Sequence, residues 1–429
     1  MTIAVQEEDD GREELDVARQ AELFARKAHD VQVQVLELFS ADKLGDASSR
    51  LFTVEEAAAI ARITAANTHK LLSRHHDKVQ TEKSGKRVML TPEQVRQLCG
   101  LVQSHTRSTV PQRAEGQAPF VLTTSNLKGG SSKTTLTIHL AQYLALRGLN
   151  VLLIDLDAQA SASHYLGLSP DRLGADIGTD DTMYSVLVGE RRIEDVIRKT
   201  YWPGLSIVPA TVGLADMEYQ MAERHMRYRS ALAMQDLGAL STMLPFYAVL
   251  DRALAELPVD RFDIVLLDTH PDVSFLTLSA LTTSDALLCP IPVGMLDFAS
   301  TGEFFRVIHD YTESLREADA RRPMLRRSKV PFDYRFISIV PSLYDPNHDS
   351  ERKLLNFLKY TYDQYLLDPV LYSKAMRRSS LERKTLFEAV PGTGKNADLD
   401  PRTASRLMES ILAMGRRIED QIRGEWRAV

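Results

Sequence analysis

The sequence runs to 429 residues, which at roughly 150 residues per domain predicts two or three domains rather than one small module. Hydrophobic residues make up 44% and charged residues 26%, a globular composition that excludes collagen-like, mucin-like and disordered classes. The net charge of −6 argues nothing against nucleic acid, because residues 1–16 hold seven acids against Arg12 and account for the whole excess.

No run of about 18 apolar residues occurs, and the first residues lack a basic-then-apolar leader, so neither export nor a membrane span is expected. Cys99 and Cys289 are too few for a disulfide scaffold and lack metal-ligand spacing, which fits a reducing cytoplasm.

In chain order, Val17, Ala21, Phe24, Ala28, Val31, Val35 and Leu38 alternate steps of four and three, a heptad seam. Residues 1–45 are expected to form a helix that either packs on its own domain or pairs two chains. Thr53 followed by Glu56 is a capping box that starts a helix near Val54, and Thr64 caps a second one to His75. Lys78–Leu90 looks like two strands around Ser84-Gly85, and Thr91-Pro92-Glu93-Gln94 opens another helix. Residues 46–112 thus have the outline of a winged helix-turn-helix.

Between Arg62 and Arg87 seven Lys or Arg face Asp77 and Glu82, an excess suited to a phosphate backbone, though a solvated basic face has the same composition. Lys70, Arg74, Lys86 and Arg87 are the DNA-contact candidates, the first two on the helix placed for the major groove. Residues 102–118, rich in Ser, Thr, Pro, Gln and Gly, are expected to be a linker.

Residues 118–429 open with a short apolar strand, Phe120–Thr124. The loop Ser125-Asn126-Leu127-Lys128-Gly129-Gly130-Ser131-Ser132-Lys133-Thr134-Thr135 follows, then a helix to Arg147 and a stop at Gly148. Small residues let backbone N–H groups surround phosphate oxygens, and a helix N-terminus adds partial positive charge. Lys133 would bring a full charge to the β and γ phosphates, and the Thr134 hydroxyl would ligate Mg²⁺. Asp155 and Asp157 end the apolar run from Val151, and Asp268 ends the run from Ile264. In an open parallel sheet such ends converge on the ligand.

The pattern Lys-Gly-Gly-x-x-Lys-Thr at 128–134, with Val151–Ser161 and Phe262–Pro271, resembles the deviant Walker-A motifs of the ParA/MinD family of ATPases. That resemblance implies an α/β fold, a mostly parallel doubly wound P-loop sheet joined to the N-terminal all-α/winged helix-turn-helix region. It implies ATP/ADP and Mg²⁺ as ligands, with Lys128, Gly129, Gly130, Ser131, Ser132, Lys133, Thr134, Thr135 and Asp268 around the nucleotide. Thr134, Asp155 and Asp268 would serve the metal, and Lys128, Lys133 and Asp157 catalysis, Asp157 by positioning the attacking water. Lys128 would reach across a two-fold axis to the partner's nucleotide, giving an ATP-dependent homodimer. Ser132 stands where most relatives carry glycine and is expected to tighten the loop or slow turnover. Base recognition is expected near Pro341–Asp345.

Further strands read at Leu205–Pro209, Ala286–Ile291, Arg335–Val340 and around Val370-Leu371. Leu407, Ile411, Met414, Ile418, Ile422 and Trp426 form a helical stripe whose mixed-charge surroundings favour packing over membrane adsorption. Lys374, Arg377, Arg378, Arg383 and Lys384 are candidates for nonspecific DNA binding; Arg321, Arg322, Arg326, Arg327 and Lys329 form a second basic run of open role.

The whole resembles the large plasmid-partition ATPases of the ParA/RepA type with an N-terminal helix-turn-helix. The expected partners are a ParB-type centromere-binding protein, chromosomal DNA and operator DNA, in a nucleoid-associated protein without stable membrane association. Weak, stimulated ATP hydrolysis and repression of its own operon are the expected activities. The rivals are a MinD-like positioning ATPase and a nucleotide-responsive repressor without motor activity.

Overall fold

A computed structural model describes residues 50–79, 81–84, 87–105, 112–168, 177–320, 332–372, 384–389 and 401–427. These belong to one compact unit, Leu44–Val429. The heptad seam, the Arg321–Lys329 run, and Lys86, Lys374, Arg377, Arg378 and Arg383 lie outside the described residues.

The unit starts with β1 (Phe52–Thr53), α1 (Val54–Ala61), α2 (Ala65–Arg74), β2 (Glu82–Ser84), β3 (Arg87–Leu90) and α3 (Pro92–His105). The capping box forms: Thr53 Oγ1 accepts from Glu56 N at 3.2 Å and Glu56 Oε2 accepts from Thr53 N at 2.8 Å. Arg62, at φ 60° in the left-handed region, closes α1 and makes the turn to α2. The strands form an antiparallel sheet of order β1-β3-β2.

α3 continues to His105, with Leu101 and Val102 buried, so residues 102–105 are helix where linker was expected. The burial of these two apolar side chains outweighs the polar composition of the sequence after them. Residues 112–119 are also tied down, because Arg113 is paired with Asp263 at 3.2 Å and donates to Val259 O at 2.7 Å.

The second part runs β4 (Phe120–Thr124), α4 (Lys133–Leu146), β5 (Val151–Leu156), α5 (Ser161–Tyr165), β6 (Arg198–Lys199), β7 (Leu205–Val208) and α6 (Asp216–Ala233). Then come α7 (Phe246–Leu254), β8 (Ile264–Thr269), α8 (Phe275–Thr283), β9 (Ala286–Pro292), α9 (Met295–Ala320), β10 (Phe336–Ser342), α10 (Asp349–Tyr362) and α11 (Pro401–Arg427). The sheet order is β10-β9-β4-β8-β5-β7-β6, with parallel pairing except at the edge strand β6. Among the described residues near Val370-Leu371, an isolated bridge from Tyr344 to Leu371 stands where a strand was read from the sequence.

Strands buried on both faces explain the near-continuous apolar runs. Leu122, Leu153 and Leu266 face one core, together with Leu136 and Leu140 of α4 and Ile411 and Ile418 of α11. Val121, Ile154 and Val265 face the other, with Leu250 of α7 and Leu276 of α8. Phe52, Ile60, Leu90 and Leu98 belong to the first core, so the N-terminal elements and the large sheet share one apolar interior. The stripe Leu407, Ile411, Met414, Ile418, Ile422 and Trp426 is buried there. Gly415 permits the close approach of α11 to α4, since a Cβ on it would lie 2.6 Å from the Tyr143 ring.

Candidate nucleotide site

Parallel pairing aligns the carboxyl ends of three strands: Thr124 lies opposite Asp268, and Asp268 opposite Asp155. The chain crosses from one side of β4 to the other between β8 and β9, and such a switch point leaves a crevice beyond the strand ends. The loop 125–132 spans this crevice and delivers Lys133 to the first turn of α4.

Asn126, which sequence reasoning passed over, pins the loop's entry. Its buried Nδ2 donates to Pro290 O at 2.7 Å, and its Oδ1 accepts from Lys128 N at 3.3 Å. Gly129 and Gly130 are exposed, with open space where a Cβ would stand, and Gly130 has φ +73°. Ser132 adopts φ 71°, ψ 20°, the same left-handed region, which is why glycine suits this position better than serine. Ser342 at the end of β10 donates to Ser131 O at 3.0 Å, so the Pro341–Asp345 stretch is coupled to the loop.

Lys133 is 6% exposed and donates from Nζ to Lys128 O at 3.1 Å. Burial lowers its pKa, and the nearby Asp268 and Asp157 work against that shift. Asp268 is fully buried; burial pushes its carboxyl well above the usual range, Asp155 and Asp157 add to the rise, and the Thr134 hydroxyl and Lys133 oppose it. Its Oδ1 accepts from Thr137 Oγ1 at 3.3 Å, while Oδ2 is buried without a hydrogen-bond partner among the described residues. The hydroxyls of Thr124, Ser125 and Ser131 are likewise buried and unpaired. Thr134 and Thr135, half-buried, follow Lys133 on the first turn of α4.

Asp155 is turned inward: its Oδ2 accepts from Ser163 N at 2.9 Å and Ser163 Oγ at 2.7 Å, and its Oδ1 from Asp157 N at 3.2 Å. Burial raises its pKa despite these donors. Its contacts are those of a group that positions Asp157 and α5. Asp157 accepts from Gln159 N at 2.9 Å through Oδ1, and the same oxygen lies 4.0 Å from Nε2 of His270, a residue that sequence reasoning did not single out.

In the N-terminal elements, Lys70, Arg74 and Arg87 are exposed, as is Lys384 further along the chain. Arg62, counted in the basic excess, instead points inward to Glu419 at 3.0 Å.

An AAA domain family model matches residues 120–318. A Sinorhizobium fredii (strain NBRC 101917 / NGR234) protein called replication protein A is 30% identical over 420 residues, 96% of this chain and 94% of the relative. The chain belongs to the ParA family of P-loop ATPases. Protein SopA of Escherichia coli K12 is 32% identical over 208 residues, 48% of this chain and 49% of that protein. Among solved structures, one titled Partition Protein aligns with TM-score 0.55 at 19% identity, covering 85% of this chain and 95% of that one. That likeness supports the shared fold. Within the ParA family frame, the sequence motifs named the loop and the acids; Asn126 and His270 lie inside those motif segments without having been singled out, and Ser163 lies just beyond one, on α5.

Proposed function

We propose that this ParA-family chain binds ATP with Mg²⁺ at the carboxyl edge of its sheet and hydrolyses it as a plasmid-partition ATPase. The observation that carries this reading is a buried crevice in which Lys133, Asp157 and Asp268 meet unpaired hydroxyls and an unpaired carboxylate oxygen. Unpaired buried groups are costly, and these suit the missing ligand: hydroxyl donors for phosphate oxygens and an acceptor for the water shell of a divalent cation. The open space above Gly129 and Gly130 is the cradle that a Cβ would fill.

In this reading the backbone of Gly129–Ser132 and the α4 N-terminus hold the phosphates, and Lys133 places its charge on the β and γ groups. Thr134 and Asp268 hold Mg²⁺, which offsets charge on the transferring phosphoryl group when bound. Asp155 positions, and Asp157 orients the water. The water oxygen bonds to the γ-phosphorus as that phosphorus separates from its bridging oxygen; the electron pair stays on ADP and the water's proton leaves with phosphate. Lys128 reaches the nucleotide of a second copy, so ATP joins two chains.

The exposed Lys70 and Arg74 of α2 and Arg87 beside the wing, with Lys86, then bind operator DNA for autorepression. Lys384 with Lys374, Arg377, Arg378 and Arg383 binds chromosomal DNA nonspecifically, and a centromere-binding partner stimulates hydrolysis. The MinD-like rival is not favoured, because the apolar stripe of α11 is buried. Phosphate release with DNA present tests the reading. Asp157→Ala is expected to bind ATP within about twofold of wild type and hydrolyse it about 100-fold more slowly. Equal turnover by the two proteins would refute the role of Asp157.

A further inference from the structure

The turn that carries Asp157 leaves β5 after Leu156 and enters α5 at Ser161. It is tight: Ala160 N donates to Asp157 O at 2.8 Å, Gln159 N donates to Asp157 Oδ1 at 2.9 Å, and Ala160 takes φ 52° in the left-handed region. Alanine is disfavoured there, and such a residue persists only where its surroundings over-determine it. Hydrogen bonds inside the turn fix its shape but not its direction relative to the sheet. A tie at its base sets that direction.

That tie is Ser163. Its N–H and its hydroxyl both donate to Asp155 Oδ2, at 2.9 and 2.7 Å, across eight positions of chain, while Asp155 Oδ1 accepts from Asp157 N at 3.2 Å. The Ser163 oxygen in turn accepts from Ala210 N at 3.0 Å, just past the end of β7, the strand beside β5. A backbone N–H only donates, so the Ala210 contact uses a lone pair of the hydroxyl and leaves its one hydrogen for Asp155. Asp155, Ser163 and Ala210 are all fully buried, so losing one of these bonds strands its partner away from solvent.

We propose that Ser163 is a positioning residue of the hydrolytic site: its hydroxyl closes the turn at its base, ties it to β7 and, through Asp155, fixes where the Asp157 carboxylate stands. This rests on the ATPase reading above and deepens it. Without the hydroxyl, Asp155 keeps only the Ser163 amide on that oxygen and is free to turn about its Cβ–Cγ bond, and the backbone of Asp157, which donates to its other oxygen, moves with it. A small displacement of Asp157 misaligns the water for in-line attack. The phosphate loop and Lys133 hang between β4 and α4 and keep their places, so turnover suffers while nucleotide binding does not.

The test uses the full chain in steady-state phosphate release from Mg-ATP, with wild type, Ser163→Ala, Ser163→Cys, Asp157→Ala and the Ser163→Ala, Asp157→Ala double variant. Ser163→Ala is expected to lower kcat at least about tenfold with KM within about twofold. Ser163→Cys, whose thiol fills nearly the same space as a weaker donor and acceptor, is expected to fall between wild type and Ser163→Ala, and it carries the test should the alanine variant not fold. Because the serine acts through Asp157, Ser163→Ala is expected to add less than about twofold to the loss in Asp157→Ala, where an independent effect would multiply. Binding of a nonhydrolysable ATP analogue is expected to stay within about twofold in every variant. Wild-type kcat in Ser163→Ala, or in Ser163→Cys if only that variant folds, would overturn the proposal. So would losses that multiply in the double variant, or analogue binding that weakens in step with turnover. If Asp157→Ala turns over like wild type, the ATPase reading fails and this inference with it; if Asp157→Ala is slow and the Ser163 variants match wild type, the failure is confined to this inference.

Discussion

The two ends of α4 both bury charge, and they treat it in opposite ways. At the N-terminal end Asp268 keeps an unpaired buried oxygen and Asp155 and Asp268 are both pushed upward, chiefly by burial. At the other end Glu419 of α11 is also buried, yet Arg147, Arg423 and Arg62 overcome the effect of burial and hold its carboxyl below the usual value. Arg147 donates to both of its oxygens at 3.1 and 2.9 Å, Arg423 to one at 2.9 Å, and Tyr143 to the other at 3.0 Å. Arg147 continues to Ile60 O at 3.1 Å, and Arg62 caps Arg416 O at 2.8 Å, so the turn between α1 and α2 is bolted to α4 and α11. Glu419, with both oxygens accepting hydrogen bonds, ties helices together, whereas Asp268 keeps one buried oxygen that suits a ligand.

The largest effect expected of a single change lies at the paired end. Glu419→Ala strands Arg147 and Arg423 in the interior and is expected to lower the unfolding free energy by about 3–5 kcal/mol in a urea titration. A loss below about 1 kcal/mol would mean that the cluster is not the bolt its geometry implies.

Between the two ends sits His139, whose Nδ1 lies 2.6 Å from Thr135 O and whose Nε2 accepts from Leu386 N at 3.0 Å. Burial lowers its pKa from 6.5 to about 4, with the Thr135 carbonyl opposing the shift. Because the folded pKa lies below the unfolded one, the unfolded chain binds the extra proton between those values, and stability falls as pH drops through that window. From pH 6.5 to pH 5 this group is expected to remove about 1.5 kcal/mol, and a His139→Gln variant is expected to lose that part of the pH slope. Denaturation curves at the two pH values check it; parallel slopes for the two proteins would assign the acid sensitivity elsewhere.

The smallest effect is at the open end. Ser132→Gly relieves a left-handed serine and is expected to raise stability by about 0.5–1 kcal/mol, less what glycine gains in the unfolded chain. Matched thermal melts read the difference, and a destabilised variant would show that the serine side chain contributes contacts worth more than the strain.

How much of this the sequence disclosed depends on whether the signal is local. The central strands were legible because burial on both faces demands continuous apolar runs such as Val151–Leu156, and the phosphate loop because its chemistry needs Gly129, Gly130 and Lys133 close together. β6, two residues long and carrying Arg198 and Lys199, has no pattern to read. Arg62 looked like one more cation of a basic face, and only the fold brings it to Glu419, 357 positions away. Asp155 ends an apolar strand just as Asp268 does, but the entry to α5 occupies both of its oxygens, a contact that local sequence does not announce. His270 had no partner in its motif, since Asp157 reaches it through the β5–β8 register alone.

The difference between the two ends of α4 is tested most directly by titrating ATP into the full chain with and without Mg²⁺, for wild type and Asp268→Asn. The account predicts that Mg²⁺ tightens binding to wild type at least about tenfold and that the substitution removes most of this gain. Equal affinity with and without the cation, or a Mg²⁺ effect undiminished in Asp268→Asn, would contradict it.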